Sequence, residues 1–323
     1  MSAREELDWR PIDPGQAGAW AALINLIEVA DGQDDFVSEQ ELLEHFGDPN
    51  IDFARGSVSV CDGDQMVGYG LVASRVTPDG VHALRHHGGV HPGYRGRGLG
   101  ARLLGWAQTA ATGLHQDLRP GRPLTLGSRC QQGNEAALVL HQALGFEPSR
   151  WFHRMVCDLS DGLPWLRMPA EVEITGFTPG RSQDARLIRN EAFSDHWGSS
   201  PLDPQEWEHF LSSEAFRPQY TFLAYLRGEP IGLVVGNEYE AYAQTTGLRD
   251  LYIPVVGTRE AGRKRGIATA LVVSALSAAR TDGFAQASLD VDADSPTGAV
   301  GLYERIGFTT RGSSVIMVKT LIS

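Results

Sequence analysis

Hydrophobic and polar residues follow two kinds of periodicity along the chain, and the first half already combines both. Helical spacing of apolar residues predicts helices over 14–29 and over SEQELLEHF, which opens with the capping-box pair Ser38 and Glu41. Strict alternation through GSVSVCDGDQMVGYGLVASR then predicts two strands joined at the turn dipeptide Asp62-Gly63. The half is completed by a strand over 84–90, a helix over 98–111, a strand over 125–127, a helix in NEAALVLHQALGF and a strand in RWFHRMVCDL.

The second half repeats this order of predicted elements. The segments VEITGF, ARLIRNEAF and PQEWEHFLSS predict a strand and two helices, and YTFLAYLRGEPIGLVVGNEYE predicts a hairpin that turns at Arg227-Gly228. The strand DLYIPVVGT, a basic turn with its helix, the strand ASLDV and the segment VGLYERIGF follow.

The intervals inside the two halves also agree. From the glycine that opens the long helix to the glycine of the closing GF, the interval is 47 residues in the first half (145 minus 98) and 41 in the second (307 minus 266). This agreement predicts a tandem duplication, with one domain over 1–160 and another over 170–323. The segment SDGLPWLRMPAEV, rich in turn-forming residues, is the predicted linker.

The amino-acid composition limits the kinds of partner and the cellular location that can be expected. A formal net charge of -12 disfavours a nucleic-acid surface, so any anion must be bound by a local group of residues. Three cysteines without a CxxC pair argue against a disulfide framework and predict a reducing, cytoplasmic location. The sequence starts with the charged segment MSAREELDWR, so no signal peptide is expected. It has no apolar run of about 20 residues, so no membrane span is expected.

Each half contains a turn rich in glycine and arginine between a strand and a long helix. Such a turn presents backbone N–H groups and the positive end of the helix dipole to an anion, and a pyrophosphate is the expected guest. A P-loop would need GxxxxGK[ST], which neither copy supplies. A dinucleotide fingerprint can be aligned with Gly96, Gly98 and Ala101, but the second copy keeps only Gly266 of that pattern.

The two turns resemble the [Q/R]xxGx[G/A] loop of the GNAT superfamily of acyl-CoA-dependent N-acyltransferases. The matching residues are RGRGLG at 95–100 and RKRGIA at 263–268, and LHQALGF and LYERIGF are similar to the closing signature of that family. The resemblance covers nearly the whole chain. It implies the α/β fold class, here with an α+β mixed sheet. The chain would form two tandem GNAT folds, each a mostly antiparallel mixed sheet flanked by helices.

The resemblance implies acetyl-CoA as co-substrate and assigns residues to it. The loop would hold the pyrophosphate and the preceding strand would bind the pantetheine arm. In the second domain these residues are Val256, Gly257, Thr258, Arg263, Lys264, Arg265, Gly266, Ile267 and Ala268. In the first they are Gly88, Val90, Arg95, Gly96, Arg97, Gly98 and Gly100, with Asn134 at the start of the closing helix.

Acetyl transfer to an amine requires removal of a proton from the amine and delivery of one to the departing thiolate, because these groups have ordinary pKa values of about 10.4 and 8.5. The resemblance makes Tyr303 the general acid, where the first domain has His141. The family often places a glutamate eleven residues before the first loop arginine, and this chain has Leu84 and Tyr252 there.

Other carboxylates are therefore candidates for the general base. Asp250 shares the strand face of Tyr252, and both are assigned to the catalytic site. The alternatives are Glu238, Glu240, Asp195 and His196.

Pro254 is unusual inside a predicted strand, because proline removes a donor from the ladder and favours edges and bulges. GNAT domains resemble one another in having a bulge on this strand, where the cofactor enters. The histidines at 82, 86, 87 and 91 divide between the two faces of a strand and lack a carboxylate or cysteine that would complete a compact set, so no metal is expected.

These observations predict a cytoplasmic N-acetyltransferase whose second domain is catalytic and whose first binds CoA. The expected partner is a small-molecule amine, with no nucleic acid or membrane, and the protein is expected to be a monomer or homodimer. The length and arrangement resemble the mycothiol synthase type of two-domain GNAT enzyme, which acetylates an amino-sugar-linked thiol. Two alternatives stay open: a non-catalytic acyl-CoA sensor, and an enzyme that uses His141 in its first domain.

Overall fold

The computed structural model describes residues 7–77, 80–160, 162–163, 169, 171–194, 196–295 and 298–323, with the backbone alone at 75–76. Their strands are β1 (Asp8–Arg10), β2 (Ser57–Asp62), β3 (Gln65–Val76), β4 (His82–Val90), β5 (Leu124–Gln131), β6 (Glu147–Asp158), β7 (Val172–Gly176), β8 (Phe222–Leu226), β9 (Glu229–Asn237), β10 (Asp250–Thr258), β11 (Gln286–Asp292) and β12 (Thr309–Ile322). Their α-helices are α1 (Ala17–Asp31), α2 (Glu39–Glu44), α3 (Phe53–Gly56), α4 (Leu99–Leu118), α5 (Glu135–Ala143), α6 (Ser182–Ala192), α7 (Pro204–Ser212), α8 (Glu240–Thr246), α9 (Ile267–Thr281) and α10 (Ala299–Ile306).

The chain forms two compact units with boundaries unlike those of the two sequence repeats. The first unit consists of Met1–Ser149 and Val315–Ser323, and the second of Arg150–Ser314. Most of β6, which ends the first repeat, therefore lies in the second unit, and the end of β12 lies in the first. The division into domains at 1–160 and 170–323 stays a prediction about the repeats, and most of its linker falls outside the described residues.

The first unit is built on a mixed sheet with the strand order β1-β2-β3-β4-β5, followed by the end of β12. Strands β1 to β4 pair antiparallel, and β4 pairs parallel with β5. Neighbouring residues of β3 face opposite sides: Leu71 packs in a core with α1 and α2, and Val72 packs in a core with α4. The sheet is thus covered by helices on both faces.

The second unit repeats this plan with the strand order β7-β8-β9-β10-β11-β6. Its pairs are antiparallel except for β10 with β11. Val234 packs with α9 and α10 in the larger core, whereas its neighbour Leu233 packs with α6 and α7. The predicted fold class, a mostly antiparallel mixed sheet flanked by helices, is confirmed in each unit.

Local signals account for several element boundaries. Ser38 and Glu41 form the predicted capping box, each side chain accepting the backbone N–H of the other at 3.0 and 2.9 Å. The predicted turn between β8 and β9 has both central residues in the left-handed region, Arg227 at φ 54° and Gly228 at φ 86°. Two consecutive positive φ values are characteristic of the type I′ turn, whose twist matches that of a two-residue hairpin.

Candidate active site

The two glycine-rich turns have the same backbone conformation. Each consists of a 3₁₀ turn, an extended arginine, a left-handed residue, one further residue and a left-handed glycine that opens the long helix. The left-handed positions are Gly96 (φ 74°) and Gly98 (φ 82°) in the first copy, and Lys264 (φ 62°) and Gly266 (φ 78°) in the second. This alternation turns successive N–H groups toward one side, as in anion-binding nests.

The helices that follow these turns begin without caps. Neither Gly98 nor Gly266 has a side chain to accept the first N–H groups, and neither α4 nor α9 has an acidic residue in its first turn. In contrast, α2 and α7 both begin with complete capping boxes. The first N–H groups of α4 and α9 are thus open to an external anion, which the helix dipole also favours.

The leading arginines of the two loops have different partners. Both donate from Nε to the carbonyl oxygen at the end of the preceding strand, Arg95 to Val90 at 3.3 Å and Arg263 to Thr258 at 3.4 Å. Arg95 is also held by the carboxylate of Asp31, with Nη1–Oδ1 and Nη2–Oδ2 distances of 2.6 and 3.1 Å. The described residues place no carboxylate against Arg263. Only the second loop therefore has a leading guanidinium without an internal anion.

The remaining loop residues divide into exposed cations and packing groups. Arg97 donates to the carbonyl of Gly93 at 2.9 Å and lies over the ring of Tyr94. Lys264 and Arg265 are exposed, while Ile267 is buried in the core and Ala268 is half-buried. A Cβ at Gly100 would come within 3.1 Å of Leu140 on α5, so glycine allows a close contact there.

In the second unit, β10 and β11 separate after a short parallel ladder. Their pairing ends at Tyr252 and Ser288. The register of β10 against β9 shifts between Tyr252 and Val255, which is where Pro254 lies. The bulge that the proline predicted is confirmed, because proline has no N–H to contribute to a regular ladder.

The bulge changes which side chains face which helices. Leu251, Ile253 and Val256 pack in the core with α9, whereas Val255 packs in the core with α6 and α7. Gly257 also faces α6, since a Cβ there would lie 3.0 Å from Ala192. The hydroxyl of Thr258 is buried without a hydrogen-bond partner in the described part of the chain. The predicted pantetheine segment 256–258 thus follows the point where the strands separate.

The first unit has a similar opening without a bulge. Pairing of β4 with β5 ends at His86 and Ser128, but β4 stays in regular register with β3 as far as Val90. Gly88 lies beyond that end, and a Cβ there would be 2.5 Å from Nε2 of His86. Burial lowers the pKa of His86 to about 3, and Nε2 has no partner among the described residues. The imidazole of His86 therefore lies along the predicted cofactor strand.

Tyr303 lies on α10, on the face of the sheet that packs against α9. It is 8% exposed and belongs to the large core of the unit. Burial raises the pKa of its phenol well above the ordinary value, so the hydroxyl keeps its proton at neutral pH. The side chain can therefore act as an acid but not as a base in that range.

His141, at the matching position of α5, makes internal contacts instead. Its Nδ1 lies 2.7 Å from the carbonyl oxygen of Ala137 and 3.4 Å from Sγ of Cys130. Burial lowers the pKa of His141 and raises that of Cys130 to about 11, so the pair is neutral. Asn134 caps this helix by accepting the N–H of Ala137, and its amide donates to Asp31 at 3.3 Å.

Asp250 lies at the closed end of the β10–β11 ladder. It is 9% exposed, and its two oxygens accept from Ser288 Oγ at 2.5 Å and Gln286 Nε2 at 3.0 Å. Tyr252, two residues further on, donates to Asp290 on β11 at 3.3 Å. The two predicted catalytic residues of β10 thus lie on the same face of the strand. The side chain of Tyr252 reaches β11 at the point where the pairing of the two strands ends.

The alternative bases have different environments. Glu238 accepts from Arg249 at 2.7 Å and from Arg217 at 3.1 Å, and these arginines lower its pKa although burial alone would raise it. Glu240 is exposed in the first turn of α8. His196 packs edge-on against Phe193, and Asp195 lies outside the described residues. Glu238, which directly follows β9, is thus a structural carboxylate that holds the two arginines.

Asp290 and Arg154 lie beside Tyr252 and are not among the site residues that the sequence predicted. Arg154, on β6, lies with Nε 3.5 Å from Asp290 Oδ1 and with its guanidinium over the ring of Tyr252. These three residues are brought together by strands that are distant along the chain. The alternation of ASLDVD is the one signal in the sequence that puts Asp290 on the face of Ser288.

The histidines of β4 do not converge on one point. His82 and His86 are buried while His87 is exposed on the other face. Across the described ranges, no group of three or more histidine, cysteine or acidic side chains has the arrangement of a metal site.

None of the helices in the described ranges combines the length and the apolar character that crossing a bilayer requires.

Known proteins match both repeats and the chain as a whole. Residues 183–308 match the Acetyltransferase (GNAT) family and residues 54–148 match the Acetyltransferase (GNAT) domain. A mycothiol acetyltransferase of Thermobispora bispora is 31% identical over 92% of this chain and 93% of its own. That of Streptomyces griseus subsp. griseus is 33% identical over 93% and 90%.

Solved structures show the same similarity. A GCN5-related N-acetyltransferase from Sphaerobacter thermophilus has a TM-score of 0.76 and 26% identity, covering 98% of this chain and 96% of that one. A tandem GNAT protein from the clavulanic acid biosynthesis pathway has a TM-score of 0.73 over 98% of each chain, and its 16% identity supports the fold alone.

Proposed function

The chain belongs to the GNAT family of N-acetyltransferases, with two GNAT domains in tandem, and we propose that its second domain transfers an acetyl group from acetyl-CoA to the amine of an amino-sugar-linked thiol. Acetyl-CoA is the co-substrate of the family. The acceptor class rests on relatives named mycothiol acetyltransferase, and four of these matches cover at least 90% of both chains. The proposed acceptor is therefore mycothiol that lacks its acetyl group.

The observation that carries the assignment to the second domain is the opening between β10 and β11 beside a bulged strand, because β4 beside the first unit's opening stays in regular register. The opening begins beyond Tyr252 and Ser288, next to the Pro254 bulge. Tyr303 packs against one face of the sheet there, and the polar side chains of Tyr252 and Asp290 meet on the other. A thioester in the opening would have a proton donor on one side and an acceptor amine on the other.

Acetyl-CoA fits the chemistry of this opening. The uncapped N-terminus of α9 and the left-handed pair Lys264 and Gly266 would bind the pyrophosphate, with Arg263 and Arg265 adding charge. The pantetheine arm would pair with the strand over 256–258. The buried, unpartnered hydroxyl of Thr258 gives that arm a hydrogen-bonding group.

The reaction requires one bond to form and one to break. The amine nitrogen attacks the thioester carbonyl carbon, the carbon–sulfur bond breaks, and Tyr303 donates its phenolic proton to the departing thiolate. The phenol is then reprotonated, and the proton lost by the amine is released to solvent. Burial keeps Tyr303 protonated until the thiolate forms, because it raises the pKa of the phenol.

The first domain is proposed to bind CoA without catalysing transfer. Its loop repeats the backbone conformation of the second loop. His141 interacts with Ala137 and Cys130 instead of offering a proton to a thiolate. Asp31 competes for Arg95, so the affinity of this site for CoA is expected to be the lower of the two.

The test is to incubate the purified protein with acetyl-CoA and an acceptor panel of deacetylated mycothiol, glucosamine and a lysine peptide. Acetylated product is measured by mass spectrometry, since a thiol-bearing acceptor would obscure a free-thiol assay. Product from deacetylated mycothiol alone supports the proposal, and acetylation of the lysine peptide alone would contradict the acceptor class.

Calorimetric titration of acetyl-CoA tests the two cofactor sites. The Arg265→Glu/Gly266→Glu variant should lose the tighter site, and the Arg95→Glu/Gly98→Glu variant should lose the weaker one.

A further inference from the structure

Three aspartates of the second unit lie on one face of the paired strands β10 and β11, and their surroundings differ. Asp292 is fully buried and accepts from Nε and Nη2 of Arg150. Asp250 is nearly buried, with hydrogen bonds of 2.5 and 3.0 Å to side chains of β11. Asp290 contacts Tyr252 at 3.3 Å and Arg154 at 3.5 Å, and its side chain is 17% exposed.

The position of Asp290 along its strand distinguishes it further. Asp250 pairs with Gln286, where β10 and β11 are still hydrogen-bonded, and the ladder ends at Ser288. Asp290 is two residues beyond that end, about 7 Å along the strand at the usual rise, and alternation keeps it on the same face. Its carboxylate therefore lies beside the opening, while that of Asp250 lies at the closed end.

From this placement we infer that Asp290 is the carboxylate that binds the acceptor amine in the second domain and takes its proton as the carbon–nitrogen bond forms. Tyr252 orients the carboxylate through its hydroxyl, and Arg154 supports it from β6. The inference rests on the proposed function. It changes the expectation for Asp250, which becomes a residue that holds β10 to β11 through Ser288 and Gln286.

The proton balance matches the reaction above. When the nitrogen attacks the thioester carbon, its N–H becomes acidic enough to pass to a carboxylate, directly or through one water. The carboxylate returns that proton to solvent, and Tyr303 supplies a separate proton to the thiolate. The base and the acid therefore act from opposite faces of the sheet, with the thioester between them.

The test compares Asp290→Asn with wild type in the assay for acetylated product. The expected result is a loss in kcat of about 10²-fold or more, the range for a positioned base, with the Kd for acetyl-CoA unchanged. Formate added to Asp290→Ala should restore part of kcat, which a structural role would not produce. Asp294→Asn removes the same charge from an exposed residue at the end of β11 and is the matched control.

The outcomes separate this inference from the proposed function. Product from wild type together with undiminished kcat in Asp290→Asn would overturn the role of Asp290 and leave the acetyl transfer intact. A loss of kcat in Asp250→Asn alone, with a formate response of Asp250→Ala, would move the role to Asp250. Absence of product from wild type with every acceptor would contradict the proposed function, and this inference with it.

Discussion

Tyr303 lies edge-on to Phe308, with ring centroids 5.7 Å apart and an interplanar angle of 64°. His141 and Phe146 have the same relation in the first unit, at 5.3 Å and 77°. In both units the phenylalanine N–H donates to the carbonyl of its partner at 3.0 Å, so the closing turn holds the two rings together. The two repeats therefore share a scaffold at this point and differ in the group it presents.

Tyr303→Phe should lower kcat by roughly 10²-fold or more while leaving the affinity for acetyl-CoA unchanged, because the ring contact with Phe308 survives and only the proton donor is lost. Steady-state kinetics and calorimetry on the same preparation measure the two quantities. His141→Phe in the first unit is the matched control and should keep wild-type turnover. The reverse pattern would locate catalysis in the first domain.

Left-handed glycines of the second unit allow stability and ligand affinity to be separated. Gly266→Ala should lower the free energy of unfolding by about 1 kcal/mol, since φ is 78°, and should also weaken acetyl-CoA binding at α9. Gly283→Ala carries the same backbone cost at φ 79° after the end of α9 and should leave binding unchanged. Urea unfolding and calorimetry measure both effects, and equal affinities for the two variants would argue against the α9 turn as the anion site.

Asp31→Asn should strengthen binding of CoA to the first domain by several-fold. The substitution removes a carboxylate that holds Arg95 through two contacts, so the guanidinium becomes available to a phosphate. Calorimetry on an Arg265→Glu/Gly266→Glu background isolates the first site. Asp117→Asn, which breaks the exposed pair with Arg55, is the control. Unchanged affinity in the Asp31 variant would mean that Arg95 takes no part in binding.

Buried histidines should make stability depend on pH. Burial, with smaller effects of His115 and Arg119, lowers the pKa of His82 to about 4, and burial lowers that of His86 to about 3. Because both values lie below the ordinary 6.5, the unfolded chain binds more protons as pH falls from about 6.5. The contribution of these two histidines to the free energy of unfolding should thus be fully present above about pH 6.5. Below that pH the free energy of unfolding should decrease, by up to about 1.4 kcal/mol per pH unit for each histidine.

Urea unfolding at pH 7.5, 6.5 and 5.5 measures this dependence. His82→Gln and His86→Gln should each flatten it, whatever their effect on absolute stability. A slope that persists in both variants would assign the pH dependence to other groups.

Much of the fold could be predicted because it is encoded locally. The Arg227-Gly228 turn, the Ser38 capping box and the Pro254 bulge each depend on a few adjacent residues, and the structure contains all three. Helix α8 was not predicted, since it is short and its N-cap residue, Tyr239, provides no side-chain cap. Tertiary contact stabilises it: Tyr242 accepts from Gln286 on β11 at 3.0 Å.

The site was less predictable, because its assembly depends on contacts between distant segments. The glycine pattern predicted the shape of both loops, and the structure adds that Asp31 holds Arg95 from 64 positions away. Asp290 meets Tyr252 from 38 positions away, and Arg154 reaches it from another strand. No local pattern reports such pairings, since they follow from the register of β6, β10 and β11.

The Arg150 and Asp292 pair provides a test of how the end of β11 is held. Arg150 Nε lies 2.9 Å from both carboxylate oxygens and Nη2 lies 2.8 Å from Oδ2, with the Asp292 side chain 1% exposed. Arg150→Met would leave a buried carboxylate without its cation, which costs about 3–5 kcal/mol of unfolding free energy. Adding Asp292→Asn should recover much of that loss, because the amide oxygen can still accept the N–H of Asp294.

Urea unfolding of the single and double variants measures the recovery, and Arg55→Met is the control. Arg55 is exposed and pairs with the half-buried Asp52 and the exposed Asp117, so its loss should change the free energy of unfolding far less than the loss of Arg150. Equal stability of Arg150→Met and the double variant would mean that the lost packing of the arginine stem, and not the unpaired charge, causes the destabilisation. Recovery in the double variant would show that Arg150 is required because it neutralises the buried carboxylate of Asp292. It would also show that this pair holds the end of the strand that carries Asp290.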